Sequence, residues 1–346
     1  MQGSAWHARF DVTHNAYDLR EAVRAIEQAL ATGSGPATDR LRLRWLANLA
    51  QAYRDLHDRA AGEVDHGRVA ALAEQWRSGQ TGEPAERIYA GFALGSLTHA
   101  MGDHDIAIEL LDAAVALLPT TAPRANGWYD NEPRLRNHFG LTEEAVAAHL
   151  TGSDPRGAVE IAEAGRGVLL SSALDTKSDL TDLAAAQPGL ARAFDRSRRQ
   201  FDAVGAASRP GRAGHQRLLE QIRTTAGFER FLQPPRFTDL RSSVPAGAAV
   251  LVNSGKHRSD AIIITGDAEP IVVALPGLRN DGILFWVASL LGVVSDPPSL
   301  ASTLRQRRVL SDLLAWLWTT TAERVFDALG PPGPEAHRVW WVPTGC

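Results

Sequence analysis

Apolar residues recur at helical spacing along the chain as far as Pro245, and then give way to short apolar runs of strand type. Leu19, Ala22, Val23, Ile26, Ala29 and Leu30 mark one helix, with Asp18 as its expected cap and Gly33-Ser34-Gly35-Pro36 as its stop. Arg9-Phe10 ahead of it read as the tail of a preceding helix, so that the chain is expected to begin partway through an array. A second helix runs from Leu41 to Leu56, with Leu46, Leu49, Ala50 and Tyr53 on one face, and a third from Val69 to Trp76. The clearest unit lies between Ile88 and Pro119. Gly91, Leu94, Gly95 and Thr98 lie on its first helix, Met101-Gly102-Asp103 form a turn, and Ala107, Leu111 and Ala114 lie on its second helix. Small residues facing larger ones allow two antiparallel helices to approach closely.

Glu143–Leu150 and Pro155–Ser172 form a further helical pair, which the polar run Asp175–Leu180 is expected to interrupt. Helices over Gly189–Val204 and His215–Thr224 follow, joined by a loop at Gly205–Gly211. Beyond Pro245, Ala248–Asn253 and Ala261–Thr265 predict a hairpin closed through Ser254–Asp260, and Pro270–Leu275 a third strand. Ile283–Val293 and Ser302–Leu329 return to helical spacing. Val339–Val342 is apolar without a break, the composition of a strand buried on both faces inside a sheet. Strands, helices and a buried strand describe the first part of an α/β domain.

Composition adds little that is specific. A chain of 346 residues with 44% hydrophobic and 22% charged positions has ample material for a core. A net charge of −4 gives no electrostatic reason to expect nucleic acid or an anionic membrane. Lys177 and Lys256 are the only lysines, the remaining basic residues being Arg. Cys346 is the only cysteine, so no intramolecular disulfide and no multi-thiolate metal site can form; this fits a reducing cytoplasm. The N-terminal residues lack a signal-peptide core, and the apolar run around Ile283–Val294 is too short to span a bilayer. A soluble, cytoplasmic chain is the expectation.

The residues from Ile88 to Pro119 resemble a tetratricopeptide repeat at Leu94-Gly95, Gly102-Asp103, Ala107, Leu111, Ala114 and Pro119. They depart from it at Gly91, where that family usually has an aromatic, and at Thr98, where it usually has Tyr. Leu49-Ala50 with Tyr53, and Ala22, Ile26 and Ala29, repeat parts of the pattern. The order of elements, with strings such as Glu163-Ala164-Gly165-Arg166-Gly167-Val168-Leu169, Gly227-Phe228-Glu229-Arg230-Phe231-Leu232, Leu314-Ala315-Trp316-Leu317-Trp318 and Arg338–Gly345, is similar to proteins that join such repeats to a CHAT domain, a caspase-like α/β peptidase domain.

The resemblance implies an α plus α/β chain in three parts. These are tetratricopeptide-like repeats over 1–157, a helical linker and start of the CHAT region over 158–244, and a partial caspase-like domain over 245–346. In that family a Cys thiolate attacks a peptide carbonyl while a His manages its proton. Both positions would follow the strand at Val339–Val342, so no residue of this sequence receives a catalytic role by resemblance. The expectation is peptidase lineage without peptidase activity, no cofactor, and repeats that bind a protein or peptide, with a chain that completes the α/β sheet as a further partner. A stand-alone repeat scaffold and one half of a split cysteine peptidase are the alternatives.

Cys346 lacks a following backbone for an oxyanion hole, and its own carboxylate disfavours a thiolate. His99 and His104 flank the repeat turn but lack a second pair at ligand spacing. Asp175, Asp179 and Asp182 lack the glycine and the terminal glutamate of a calcium loop. Gly255-Lys256 lacks the upstream glycine of a phosphate-binding loop and reads as turn chemistry. Trp316, Trp318, Trp340 and Trp341 are expected in the core. The catalytic, cofactor-binding and metal sets are therefore each expected to be empty.

Overall fold

Short polar side chains start several helices in the computed structural model of the chain, which describes residues 2–33, 35–79, 82–121, 140–171, 175–204, 209–231, 233, 235–244, 247–266, 268–295, 297, 299–331 and 338–344. Asn15 Oδ1 accepts from the Tyr17 amide at 3.0 Å, Asp65 Oδ1 from the Arg68 amide at 2.6 Å and Ser299 Oγ from the Ser302 amide at 3.0 Å. Each satisfies an amide that a helix N-terminus leaves without an intrahelical partner. Asp18, expected as a cap, lies inside the first turn and is 1% exposed. Asn15, extended at φ −89° and ψ 117°, holds the capping position instead.

The chain divides into two compact units, Met1–Leu141 with Glu163–Pro234, and Thr142–Ala162 with Pro235–Cys346. In the first, six helices succeed one another: α1 (Gln2–Thr13), α2 (Ala16–Thr32), α3 (Pro36–His57), α4 (His66–Ser78), α5 (Pro84–Met101) and α6 (His104–Leu117). α1 is a helix of 12 described residues, longer than the tail at Arg9-Phe10 that the sequence pattern suggested; its Phe10 enters the core. Leu19, Ile26, Leu46, Leu49, Tyr53, Leu72, Trp76, Leu94 and Leu110 bring α2 to α6 into the same apolar cluster.

α5 and α6 pack at a distance that glycine sets. A Cβ at Gly95 would lie 2.6 Å from Leu111 Cγ, and one at Gly91 would lie 2.7 Å from Trp76 Cζ2 and 3.2 Å from Ala114 Cβ. The Trp76 indole of α4 occupies the space beside Gly91 and donates to Arg87 O at 3.0 Å. Thr98 bonds its hydroxyl back to Leu94 O and Gly95 O, both at 3.0 Å, and so stays dry on a buried face. Gly102 closes α5 in the left-handed region at φ +85°, where its amide and that of Asp103 take up the His99 and Thr98 carbonyls.

Farther along, α7 (Leu141–Thr151), α8 (Pro155–Ser171), α9 (Asp175–Ala186), α10 (Pro188–Val204) and α11 (Arg209–Arg223) follow. The run Asp175–Leu180, expected as an interruption, is the first part of α9. Leu183, Ala191, Phe194, Ile222 and Phe231 form a second cluster in the first unit, with the Phe194 and Phe231 rings edge to face at 5.3 Å.

The second unit holds the sheet. α12 (Phe237–Ser242) leads into β1 (Gly247–Ser254), β2 (Ser259–Thr265) and β3 (Ile271–Ala274); α13 (Asn280–Val294), α14 (Leu300–Leu317), α15 (Glu323–Leu329) and β4 (Arg338–Thr344) follow. The strand order is β3-β2-β1-β4. β1 and β2 form the expected antiparallel hairpin, from Ala248 opposite Thr265 to Ser254 opposite Ser259. β1 and β4 are parallel, from Gly247 opposite Arg338 to Asn253 opposite Thr344. On one face Ala248, Val250, Ala261 and Ile263 pack with Leu278 and Val325, and with the partly buried Ile283 and Trp316 of the crossover helices. On the other face Asn253 reaches the Glu143 carbonyl of α7 at 3.1 Å.

One expectation fails here: β4 ends the described sheet rather than lying inside it, and its residues are mostly half-buried or exposed because among the described residues only β1 flanks it. The helical course expected over Ser302–Leu329 is present throughout, with a wider π turn at Trp318–Ala322, where Thr319 and Thr320 bond their hydroxyls back to Trp316 O at 3.1 and 2.7 Å.

Replacing Gly95 with Val forces two methyl groups and a Cβ into the Leu111 side chain. The expected cost is about 1–3 kcal/mol of stability for the first unit, read as a lower urea midpoint at unchanged slope. A midpoint equal to that of the native chain would mean that α5 and α6 do not pack this closely.

Candidate functional site

Open α/β sheets place their ligands at the carboxyl ends of their parallel strands, which in this chain is the end of the β1–β4 pair. Asn253 and Thr344 are opposite one another there, and both are buried. Thr344 Oγ1 lies 3.1 Å from Val252 O and 3.2 Å from Asn253 Oδ1, while Asn253 Nδ2 donates to Glu143 O. Beside them Asp260, 1% exposed, takes a bidentate pair from Arg258, with Nε at 2.6 Å and Nη2 at 2.7 Å; Arg258 Nη1 also donates to Thr151 Oγ1 at 3.2 Å. Two polar latches thus tie the sheet end to α7. The threonine hydroxyl meets a carbonyl and an amide oxygen rather than a base, so nothing here activates it as a nucleophile.

Gly255-Lys256 lies in the β1–β2 turn, with the Gly255 amide donating to Arg258 O at 3.0 Å and Lys256 exposed. His99 and His104 do come together across the repeat turn, ring centroids 6.0 Å apart, and His104 Nδ1 is buried without a hydrogen-bond partner. Nearby His66 Nδ1 contacts Asp103 Oδ2 at 2.8 Å on the surface. Among the described residues no three His, Cys, Asp or Glu side chains gather as a metal site. Asp175 and Asp182 sit within the helix α9 rather than in a loop, and Asp182 is exposed. Cys346 lies outside the described residues.

The tryptophans depart from expectation. Trp316 does join the core, and its ring lies 6.2 Å from that of Trp286. Trp318 is 52% and Trp341 41% exposed, and Phe326 between them stacks on Trp318 at 5.9 Å and meets Trp341 edge-on at 6.2 Å. They belong to a larger exposed set. Of the large apolar side chains that are exposed among the described residues, only Val12, Tyr17, Leu41 and Tyr89 lie outside the stretch from Ile271 to Trp341. No described helix is long and apolar enough to cross a membrane.

The first unit carries ion pairs of a different kind. Tyr53 donates to Glu27 Oε1 at 2.7 Å, and Arg68 donates to the same oxygen at 2.9 Å. Burial, followed by that carboxylate, pushes the Tyr53 phenol well above its ordinary value. His7 Nε2 lies 2.9 Å from Asp55 Oδ2 and joins α1 to α3. The hydrogen bond to Asp55 raises the His7 pKa against the opposing effect of burial. For Asp55, burial alone would raise the pKa, but hydrogen bonds from His7 and Gln51 outweigh it and hold the carboxyl below its ordinary value. Sequence reasoning missed this pair and the Arg258–Asp260 latch. The only signals were a histidine between apolar positions of α1 and a charged residue opening an apolar strand.

No protein-family profile, no curated protein and no solved structure matches the chain.

The His7–Asp55 pair gives a pH dependence with a definite sign. Raised in the folded state, His7 contributes stability that is full below its ordinary value of 6.5 and is lost as pH climbs through the folded value. Asp55, depressed, contributes stability present above its ordinary 3.8 and lost as pH falls through the folded value. The thermal midpoint of the first unit is therefore expected to be highest between those two ordinary values and to fall as pH climbs beyond the upper one. His7→Gln should flatten the fall on the alkaline side; an unchanged profile in calorimetry would remove the pair from the account.

Proposed function

We propose that this chain is a protein-interaction scaffold in which tetratricopeptide-like hairpins bind a peptide or protein segment. We read the second unit as the opening part of a caspase-like CHAT layer, of peptidase lineage but without peptide hydrolysis by this chain. The observation that carries the reading is the α5–α6 hairpin. Its glycines at 91 and 95 face Trp76, Ala114 and Leu111 at distances that exclude a Cβ, and a left-handed Gly102 turns the chain. Hairpins built this way stack through their buried faces and leave a helical face for a ligand.

On α5 that outward face carries Tyr89, 46% exposed, with the half-buried Phe92 and Ser96 at helical spacing from it. A tyrosine offers a large apolar body, a polar tip and few rotors to freeze, which suits it to anchor a peptide. Support for the CHAT reading of the second unit comes from the topology: an antiparallel hairpin on one side of β1, and on the other a parallel strand reached through α13–α15.

Two experiments test the proposal. A peptide selected from a displayed library on the folded chain should bind about tenfold more weakly to Tyr89→Ala, read by fluorescence anisotropy; an affinity equal to that of the native chain counts against the repeat reading. With fluorogenic peptide pools the chain should give no turnover. Turnover that disappears in Cys346→Ala would overturn the second half of the proposal.

A further inference from the structure

α1 is held by α2 and by α3 in different ways. Against α2 it lies close: a Cβ at Gly3 would be 2.3 Å from Ile26 Cγ1, and buried Asp18 accepts from Thr13 Oγ1 at 2.5 Å with Arg9 Nε at 3.5 Å. Toward α3 the described ties are long side chains. His7 Nε2 meets Asp55 Oδ2 at 2.9 Å, and Asn48 Nδ2 donates to Ser4 Oγ at 3.3 Å. Arg59, just past the end of α3, lies over the Phe10 ring at 4.4 Å. From Ser4 to Thr13 only Phe10 is buried, so α1 brings a single fully covered apolar side chain to its packing. A helix of 12 residues does not persist in water without such contacts.

Other histidines of the described residues also face a carboxylate, but in settings that connect less. His66 with Asp103 stands in solvent, its imidazole 61% exposed, where an ion pair contributes little. His149 and Asp154 lie five positions apart, at the turn between α7 and α8. His7 and Asp55 are 17% and 23% exposed and come from helices of different hairpins. We propose that the α1–α3 seam is a pH-gated joint: a protonated His7 holds α1 against α3, and loss of that proton lets α1 part from α3 while it stays on α2.

The charges around the pair set the direction. The hydrogen bond to Asp55 favours the imidazolium against burial, and Asp11, one turn farther along α1, adds to it. Asp55 is opposed by burial but is held below its ordinary value by His7, by Gln51, which donates to its Oδ1 at 3.3 Å, and by Arg59. It therefore stays charged near neutrality, where His7 titrates. Asp18 of α2 is occupied by Thr13 and Arg9. His7, raised in the docked state, favours docking fully below its ordinary 6.5, and that preference is lost as pH climbs through the docked value. The proposal uses neither the peptide reading of the repeats nor the CHAT reading of the second unit.

The test is the distance between α1 and α3 in the full chain. Nitroxide labels at Ala8→Cys and Leu41→Cys, both exposed positions, in a Cys346→Ser background, are read by double electron–electron resonance. One distance is expected at about pH 5.5, and a second, longer component should appear at about pH 8.5. His7→Gln should give the same distribution at both, and so should Asp55→Asn. Labels at Leu41→Cys and Ala71→Cys, on α3 and α4, should keep a single distance throughout, since those helices do not use His7. A native distribution that ignores pH, a pH response retained in His7→Gln, or an equal change between α3 and α4 would each overturn the proposal.

Discussion

The parallel pairing of β1 with β4 is the constraint from which the second unit follows. Antiparallel neighbours can be joined by a turn, as β1 and β2 are through Gly255. Parallel neighbours cannot, so the chain must leave one end of the sheet, cross a face and re-enter at the other end. α13, α14 and α15 are that crossing. Ile283, Trp316 and Val325 anchor it to the face built by Ala248, Val250, Ala261 and Ile263. Because those anchors use only one side of each helix, the apolar residues on the other sides remain in solvent. The crossover requirement and the exposed hairpin are thus two aspects of one topological fact.

The first unit depends on a steric constraint instead. Gly91 and Gly95 let backbones and bulky neighbours approach to distances that any side chain would forbid, and Trp76 and Leu111 fill the room so made. Burial then does the rest, with each large core side chain contributing about 1.5–3 kcal/mol when removed from water. Polar groups inside this packing are satisfied locally: Thr98 bonds its own helix, and Tyr53 shares Glu27 with Arg68. Such pairings specify which helices meet, since an unmatched buried group would cost more than the pair contributes.

Much of this was legible along the chain. The helical spacing located α2 to α6, the Gly102 turn and the β1–β2 hairpin, because each depends on residues near one another in sequence. The misplacements also have local causes. Asn15 and Asp18 are both good caps three residues apart, and only the backbone conformation chooses between them. The run from Asp175 reads as a breaker by composition, yet the same residues are well suited to a first turn. The helical spacing over Ser302–Leu329, by contrast, holds through residues 319–321, where Thr319 and Thr320 return their hydroxyls to Trp316 O within a π turn.

By itself the sequence determined an α plus α/β chain with its helical hairpins, its strand hairpin and an apolar strand at Val339–Val342, because local periodicity and turn chemistry fix those. It did not determine which apolar residues are covered. Val342 and Trp341 read as core by composition, and Leu284, Val287 and Leu291 read as core by periodicity; tertiary structure alone put β4 at the sheet edge and those helix positions in solvent. The physical reason is that periodicity reports that a face must be buried but carries no information on what buries it. The same holds for Asn253 with Thr344 and for Arg258 with Thr151, whose pairing requires residues ninety or more positions apart to arrive at one sheet end.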